Sequence, residues 1–420
     1  MTGRAPDPSA HFAATMAKLV PDGPVRLGLA VSGGSDSMAL MMLAQGWARP
    51  RTRNAIHLHV ATVDHHLRPA AAQEAQNVAI AAQRLGLSHV TLHWNGWRGH
   101  GNLQDAARQA RRTLLADWAT ALELDAVLLG HTRDDQAETF LLRLARGSGV
   151  DGLAGMQAQH RAHGTVWLRP LLGLARQDLR AWLTARGTTW AEDPSNDDPA
   201  FDRVRARQMQ DLLAPLGLTA QRLAETAARM ADARLVLDRA ADAAQAQIRS
   251  DQYGDISFDA AGLDALPEET RTRLVARALC EIASKPYRPR LKALRAALSS
   301  SRATLHGCVI TRNRREVRIT REARAVHGLR VALGQVWDKR WRLTPPAGTR
   351  SMTPSEGLSI AALGPAGLAA CPDRSHWHLP RQSLLASPGV WRGDTLVAAP
   401  LAGLAPDWRC NLCQSDTPGL

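Results

Sequence analysis

The sequence predicts an α/β protein: a doubly wound parallel sheet in the N-terminal half, then a helical domain, then a smaller mixed α+β C-terminal region. Three observations predict it. Short apolar runs rich in β-branched residues alternate with helical patterns through the first 215 residues. A run of small residues, Ser32-Gly33-Gly34-Ser35-Asp36-Ser37, directly follows the first apolar run. Beyond about Leu216 the alternation stops and Ala- and Arg-rich helical text takes over. The expected divisions of the chain are 1–215, 216–300 and 301–420.

Residues 25–31 (VRLGLAV) form the first expected strand, ending at glycines, and residues 37–47 the helix after it. Residues 56–63 (IHLHVATV) and 89–94 (HVTLHW) are the next strands, with a helix over 70–85 between them. A long helix over 102–122 carries apolar residues at helical spacing. Residues 126–130 (AVLLG) are a fourth strand, 133–146 a helix, 166–172 a fifth strand and 174–186 a helix. Strands alternating with helices of this length imply βαβ units around a buried parallel sheet.

Residues 219–249 are almost free of strand formers and read as helix. Residues 267–299 hold further helical patterns around a Pro286/Pro289 break, and β-like runs begin near Thr304. No element is placed in the last 70 residues.

Composition narrows the function. The net charge is +13 and the isoelectric point about 10.7, a balance that favours a polyanionic partner, nucleic acid first. Nearly all of it is Arg, since lysine occurs only at Lys18, Lys285, Lys292 and Lys339. Abundant Arg and Ala are what a GC-rich genome would give, but codon bias does not explain the excess of Arg over the acids. No run approaches the roughly 18–20 apolar residues of a membrane helix, and the first residues lack the apolar stretch of a signal peptide. The expected location is the cytoplasm, with no membrane partner. Five cysteines, none before Cys280, make no disulfide framework, and Cys410 and Cys413 lack the second pair of ligands a zinc site needs.

The sharpest feature is the Ser32–Ser37 loop. Small consecutive residues let successive backbone N–H groups converge on one anion, and the helix N-terminus adds partial positive charge. Ser32, Ser35 and Ser37 add hydroxyl donors, and Asp36 places a carboxylate where Mg²⁺ beside phosphates would sit. It is not a Walker A loop, which needs Gly-Lys, nor a GxGxxG fingerprint. Farther on, Asp134 and Glu138 are four residues apart and Asp135 and Glu138 three, so all can share a helix face. Helix capping is the structural alternative for Asp134 and Asp135. A solvated face is the alternative for Arg108 and Arg111, and a packed loop histidine for His65 and His66.

The loop resembles the SGGxDS motif of the PP-loop ATP pyrophosphatases, and further segments resemble the tRNA(Ile)-lysidine synthetases among them. These are Val63-Asp64-His65-His66-Leu67-Arg68-Pro69, Asn102-Leu103-Gln104 with Ala107, Arg108 and Arg111, GHTRDDQAET from Gly130, and WAEDPSN from Trp190 followed by Arg203 and Arg207. The resemblance covers about residues 20–210 and is weak beyond Leu216.

It implies a PP-loop, Rossmann-like fold and a two-step ligation using ATP and Mg²⁺. The wobble cytidine of tRNA(Ile) with a CAU anticodon is adenylated, releasing pyrophosphate. Free L-lysine then displaces AMP, giving lysidine and shifting specificity from methionine to isoleucine. The resemblance implies ATP binding by Ser32, Gly33, Gly34, Ser35, Asp36, Ser37, Asp64 and His131, with Asp36 on Mg²⁺. Arg108 or Arg111 would meet the α-phosphate, and Asp134, Asp135 and Glu138 would hold lysine or a second metal. His65, Arg68, Arg203 and Arg207 would contact tRNA or nucleotide. A homodimer is a further family-level expectation.

Two other ligase readings stand beside it. A tRNA thiolase would carry cysteines near the loop, and none occurs there. A small-molecule amidating ligase has no use for a charge of +13. A non-catalytic RNA-binding protein is the reading from another class, and the intact Asp36 and DDQAE run oppose it.

Overall fold

The computed structural model describes residues 7–50, 56–66, 70–97, 103–192, 202–346 and 357–413. The chain divides into two compact units, Met1–Leu235 and Val236–Leu420.

The first unit opens with α1 (Pro8–Leu19), an element not anticipated from sequence. Asp7 caps it by accepting the Ser9 and Ala10 N–H groups, and Phe12 and Met16, four residues apart, bury one face. The βαβ series follows: β1 (Val25–Ala30), α2 (Ser35–Ala48), β2 (Ile56–Asp64), α3 (Ala70–Arg84), β3 (Ser88–His93), α4 (Leu103–Ala121), β4 (Ala126–Leu129) and α5 (Arg133–Ala145). Then come α6 (Val150–Leu153), β5 (Gln159–Ala162), β6 (Thr165–Leu168), α7 (Arg176–Thr184) and α8 (Asp202–Leu213).

The sheet order is β3-β2-β1-β4-β6-β5, parallel throughout except for the antiparallel β5–β6 edge. The expected fifth strand is thus half a hairpin. It stops at Leu168, and Leu171 and Leu174 pack into the core from the turn beyond it. Both sheet faces are covered. Leu27 and Leu29 of β1 pack with Leu40 and Met41 of α2 and Leu179 and Leu183 of α7. Ala30 and Val127 pack with Leu115 and Trp118 of α4 on a separate core. Gly28 makes that second contact possible: a Cβ there would lie 2.6 Å from the Trp118 ring.

Strand order turns outward in both directions from β1 and β4. Such a switch point leaves a crevice at the carboxyl ends of the two strands, where α/β sheets bind ligands.

α9 (Ala220–Ile248) contains the division between the units. In the second unit, β7 (Arg249–Gln252), β8 (Asp255–Asp259), α10 (Ala260–Ala265), α11 (Glu268–Ala283), α12 (Leu291–Leu298), β9 (Arg302–Leu305), β10 (Cys308–Arg312) and β11 (Glu316–Arg321) share one core. The sheet there is antiparallel, ordered β7-β8-β11-β10-β9, and α11 packs on it through Leu274, Leu279 and Ile282. The β7–β8 hairpin falls between the two segments read as helical.

A further core gathers β12 (Arg330–Ala332), β13 (Trp341–Thr344), β14 (Leu358–Ala362), α13 (Gly364–Ala369), α14 (Arg381–Leu384), β15 (Pro388–Arg392), β16 (Thr395–Ala398) and β17 (Arg409–Leu412). These include the C-terminal elements that sequence left unplaced. All five cysteines are free. Among the described residues no helix is long and apolar enough to cross a membrane.

Candidate active site

The glycine loop sits where β1 ends, between the sheet and α2. Gly33 takes φ +90°, a left-handed conformation that a side chain would strain. Gly34 then caps α2 with no side-chain hydrogen bond to the first turn. The helix N-terminus therefore has no side-chain cap, and Asp36 is the acidic group of its first turn. The serines stiffen the turn. Ser32 N–H donates to Ser37 Oγ (3.1 Å), and Ser37 Oγ donates to the Gly34 carbonyl (2.9 Å). Ala191 N–H donates to the Gly33 carbonyl at 2.9 Å, so the chain after α7 backs the loop. Gly130 supports it from β4, because a Cβ there would lie 3.1 Å from the Asp36 carbonyl oxygen.

α5 starts beside this loop. Thr132 caps it in a reciprocal box with Asp135, whose Oδ2 accepts from Thr132 N–H (2.8 Å) and Oγ1 (2.9 Å). Asp135 thus serves as a cap and still turns Oδ1 toward Arg176 at 3.2 Å. Asp134 accepts the backbone N–H of Arg176 (2.8 Å), so its carboxylate helps cap α7. Glu138 lies one turn on, with 1% of its side chain exposed. Its Oε1 meets Arg176 Nη1 at 3.5 Å and Arg207 Nη2 at 3.1 Å. Its Oε2 is buried without a hydrogen-bond partner among the described residues.

Arg176 joins these groups, and sequence reading missed it. Its Nε donates to Asp36 Oδ2 at 2.9 Å, while its two Nη atoms face Asp135 and Glu138. A signal was available. Arg176 falls where a helix begins, and a cation in the first turn opposes the macrodipole unless carboxylates from elsewhere hold it. Arg180, one turn later, donates to Ser35 Oγ (3.3 Å) and pairs with Glu192.

Burial raises the Asp36 carboxyl above its ordinary range, against the pull of Arg176. Burial and the nearby Asp135 charge raise Glu138. Burial also acts on Asp135, but Arg176, His131 and the Thr132 N–H outweigh it and hold that carboxyl low. Burial brings His131 down to about 3, helped by the positive charges of Arg169, Arg111 and Arg203, so its ring is neutral at physiological pH. Burial, then the charges of Arg112 and Arg108, bring Arg169 down to about 10. Arg111 is lowered by burial and by Arg203. These neighbouring cations make this flank of the crevice positively charged, a place suited to an anion.

The structure therefore brings together Ser32–Ser37, Asp134, Asp135, Glu138, Arg203, Arg207 and His131. Arg203 stands 3.9 Å from Asp135. His65 sits edge-on to Trp94, with ring centroids 5.7 Å apart, and the Arg111 charge reaches it. Arg108 is exposed on α4. Asp64 is buried at the end of β2, but its Oδ1 accepts the His66 N–H (2.8 Å) and holds a left-handed turn there. That carboxylate also shares a group with His66 and His93, whose ligand atoms all lie within 4.8 Å of one another. Arg68 and the 193–196 part of WAEDPSN lie outside the described residues.

The donor set is hard oxygen: Asp36, Glu138 and the loop hydroxyls. Such a set takes a hard divalent cation or an ammonium group. It does not supply a reactive thiolate. Burial pushes the Cys280 thiol up to about 11, and those of Cys308 and Cys410 up to about 12.

A family model described as a PP-loop domain matches residues 8–212. The tRNA(Ile)-lysidine synthase of Ruegeria pomeroyi is 48% identical over 393 residues, covering 93% of this chain and 91% of that one. That of Methylobacterium sp. is 44% identical over 273 residues, 64% of this chain and 78% of its own. Among solved structures, the U34-tRNA thiolase NcsA of Methanococcus maripaludis aligns with 54% of this chain and 78% of its own, at TM-score 0.46 and 15% identity.

Proposed function

The chain belongs to the tRNA(Ile)-lysidine synthase family, and from that premise we propose how its crevice carries out the reaction. The enzyme is a ligase that uses ATP to form lysidine on tRNA(Ile). The route, the roles of individual residues, the metal and the handling of lysine are our reading.

In the first step the cytidine carbonyl oxygen attacks the ATP α-phosphorus. A new P–O bond forms, the bond to the β-phosphate breaks and pyrophosphate leaves. The base oxygen becomes a good leaving group only in this adenylated form, which is why ATP is required. The Gly34–Ser37 turn cradles the departing pyrophosphate through backbone N–H groups and the α2 dipole. Arg111, aided by Arg203 and Arg169, offsets the charge developing at the α-phosphate.

Asp36 and Glu138 suit Mg²⁺ in donor type, and Glu138 Oε2, which has no hydrogen-bond partner among the described residues, is an acceptor that a cation would satisfy. Mg²⁺ held by Asp36 would neutralise phosphate charge.

In the second step the lysine ε-ammonium first gives a proton to water, and the free amine attacks the cytidine carbon that bears the adenylated oxygen. A C–N bond forms, the C–O bond breaks, AMP leaves with the oxygen, and the new C–N nitrogen gives its second proton to water. Glu138, with Asp135 beside it, orients the incoming lysine through its ammonium charge. His131, neutral at this pH, adds no competing charge.

A base inside an anticodon loop must be unstacked to enter such a crevice. The net charge of +13 suits the tRNA backbone around it. Arg203 and Arg207 on α8, which face Asp135 and Glu138, would contact nucleotide or tRNA in this reading. The helical and mixed regions beyond residue 216 would grip the body of the tRNA.

One observation carries this reading: the phosphate loop and the α5 carboxylates meet at the sheet's switch point through a single arginine. The experiment is transfer of labelled lysine to an isoleucine tRNA transcript with a CAU anticodon, with and without ATP. ATP-dependent label there, and none on elongator methionine tRNA, is expected. Pyrophosphate release with no lysine transfer would discard the two-step assignment.

A further inference from the structure

Arg176 is placed against its own helix and in favour of its neighbours. It occupies the first turn of α7, where the dipole disfavours a cation. Only 18% of its side chain is exposed. Each of its three guanidinium nitrogens faces a different carboxylate: Nε on Asp36 (2.9 Å), Nη2 on Asp135 (3.2 Å) and Nη1 on Glu138 (3.5 Å). Its backbone N–H occupies the fourth, Asp134, at 2.8 Å. The planar fork makes these contacts mutually dependent.

Each oxygen of Asp36 already accepts one hydrogen bond in this arrangement. Oδ2 takes Arg176, and Oδ1 accepts from Ser35 Oγ at 3.3 Å. A metal ion binds carboxylate oxygen at about 2.0–2.1 Å and would stand only a few ångströms from the guanidinium carbon, where like charges repel strongly in a partly buried site.

We propose that Arg176 is a resident counter-cation for the Asp36–Asp135–Glu138 cluster, and that Mg²⁺ reaches Asp36 by exchange with it. Without nucleotide the exchange is unfavourable, because the three carboxylates are already matched by Arg176 together with Arg203 on Asp135 and Arg207 on Glu138. The phosphates of ATP reverse that balance by bringing negative charge to the Gly34–Ser37 turn. The enzyme therefore takes up its metal with the nucleotide and does not collect divalent cations beforehand. Arg176 acts through Asp36, so it is a positioning residue. The inference rests on the reading of Asp36 as a metal ligand.

The test measures Mn²⁺ binding to the nucleotide-free full chain by paramagnetic resonance. Wild type, Arg176→Lys, Arg176→Gln and the double variant Asp36→Asn/Arg176→Gln are compared. Removing one positive charge at this distance should tighten Mn²⁺ binding roughly tenfold or more in Arg176→Gln. Arg176→Lys keeps the charge and should stay near wild type, and the double variant should lose the gain. Equal affinity in wild type and Arg176→Gln, or a gain that survives loss of Asp36, overturns the proposal.

Should Arg176→Gln fail to fold, hydrogen exchange in the wild type, with Arg176→Lys for assignment, answers instead. The Arg176 Nε–H, identified by its absence in Arg176→Lys, should lose protection from exchange when Mg²⁺ and a non-hydrolysable ATP analogue are added. Retained protection overturns the exchange. Lysine transfer to tRNA is scored separately: loss of that activity with the Mn²⁺ result intact indicts the proposed function, and the converse indicts only the exchange.

Discussion

Arg176 Nε lies 2.9 Å from Asp36 Oδ2, and 140 residues of chain separate the two. That contact couples the phosphate loop after β1 to the start of α7, with the α5 carboxylates joined to the same guanidinium. Three segments distant in sequence become one electrostatic unit, and the following outcomes test its parts.

Asp36→Asn keeps the shape of the side chain and removes its charge. If Asp36 positions a cation on the phosphates, pyrophosphate release in a single turnover should fall about 100-fold or more while the circular dichroism spectrum is unchanged. Release within a few-fold of wild type would remove Asp36 from the metal assignment.

Glu138→Gln removes the charge of the most buried carboxylate in the crevice, the one whose Oε2 has no partner among the described residues. Lysine transfer should suffer more than pyrophosphate release, with the lysine KM rising about tenfold for a lost charge-assisted contact of about 1.5–3 kcal/mol. The two steps are read separately by pyrophosphate and by labelled lysine. Equal loss in both would make Glu138 a support for the loop, not a lysine contact.

Gly130→Ala probes the seat of the loop. The added methyl would come within 3.2 Å of backbone atoms of Asp36 and Ser37, which cannot swing aside as a side chain can. ATP-dependent turnover should drop at least several-fold, with a stability cost of about 1–3 kcal/mol from overpacking. Gly28→Ala is the matched control. Its methyl would meet the Trp118 ring at 2.6 Å, far from the loop, so it should destabilise by a similar amount and alter turnover less. Identical kinetic losses would show that any packing defect in the sheet suffices.

His131 carries a pH prediction. Its folded value is about 3 against an ordinary 6.5. The unfolded chain therefore takes up a proton below pH 6.5 that the native ring refuses, and native stability falls as pH drops through that window toward 3. By one pH unit below the ordinary value the loss is about 1.4 kcal/mol. His131→Asn should flatten this slope, seen as a smaller change in the urea midpoint between pH 7.5 and 5.5. Asp135, whose carboxyl is held low, contributes only at more acid pH, where its stabilising charge is lost. A slope unchanged by the substitution would place the effect elsewhere.

Much of this protein is written locally. Alternating apolar runs and helical patterns specify the β1–β4 and α2–α5 series, because a strand buried on both faces must be apolar throughout and a covering helix must carry one apolar stripe. The Ser32–Ser37 loop was equally legible, since its chemistry lies in consecutive backbone N–H groups and in small side chains that let them converge. Asp135 and Glu138 were visible as partners because three residues of helix bring them to one face.

Other features are settled only when the chain closes on itself. The antiparallel β5–β6 hairpin is set by an edge with one neighbour to satisfy, and its short runs look like any strand. Asp134 and Asp135 turn out to divide between capping and the site, a choice made by what faces them. Asp64, promising at the end of β2, spends a carboxylate oxygen on the turn at His66. Arg176 is one arginine among many in the sequence; its place in a first helical turn marks it as unusual, but its partners are fixed only when α7 packs beside α2. A charge interacts through space and not along the chain, so its partner is decided by the fold.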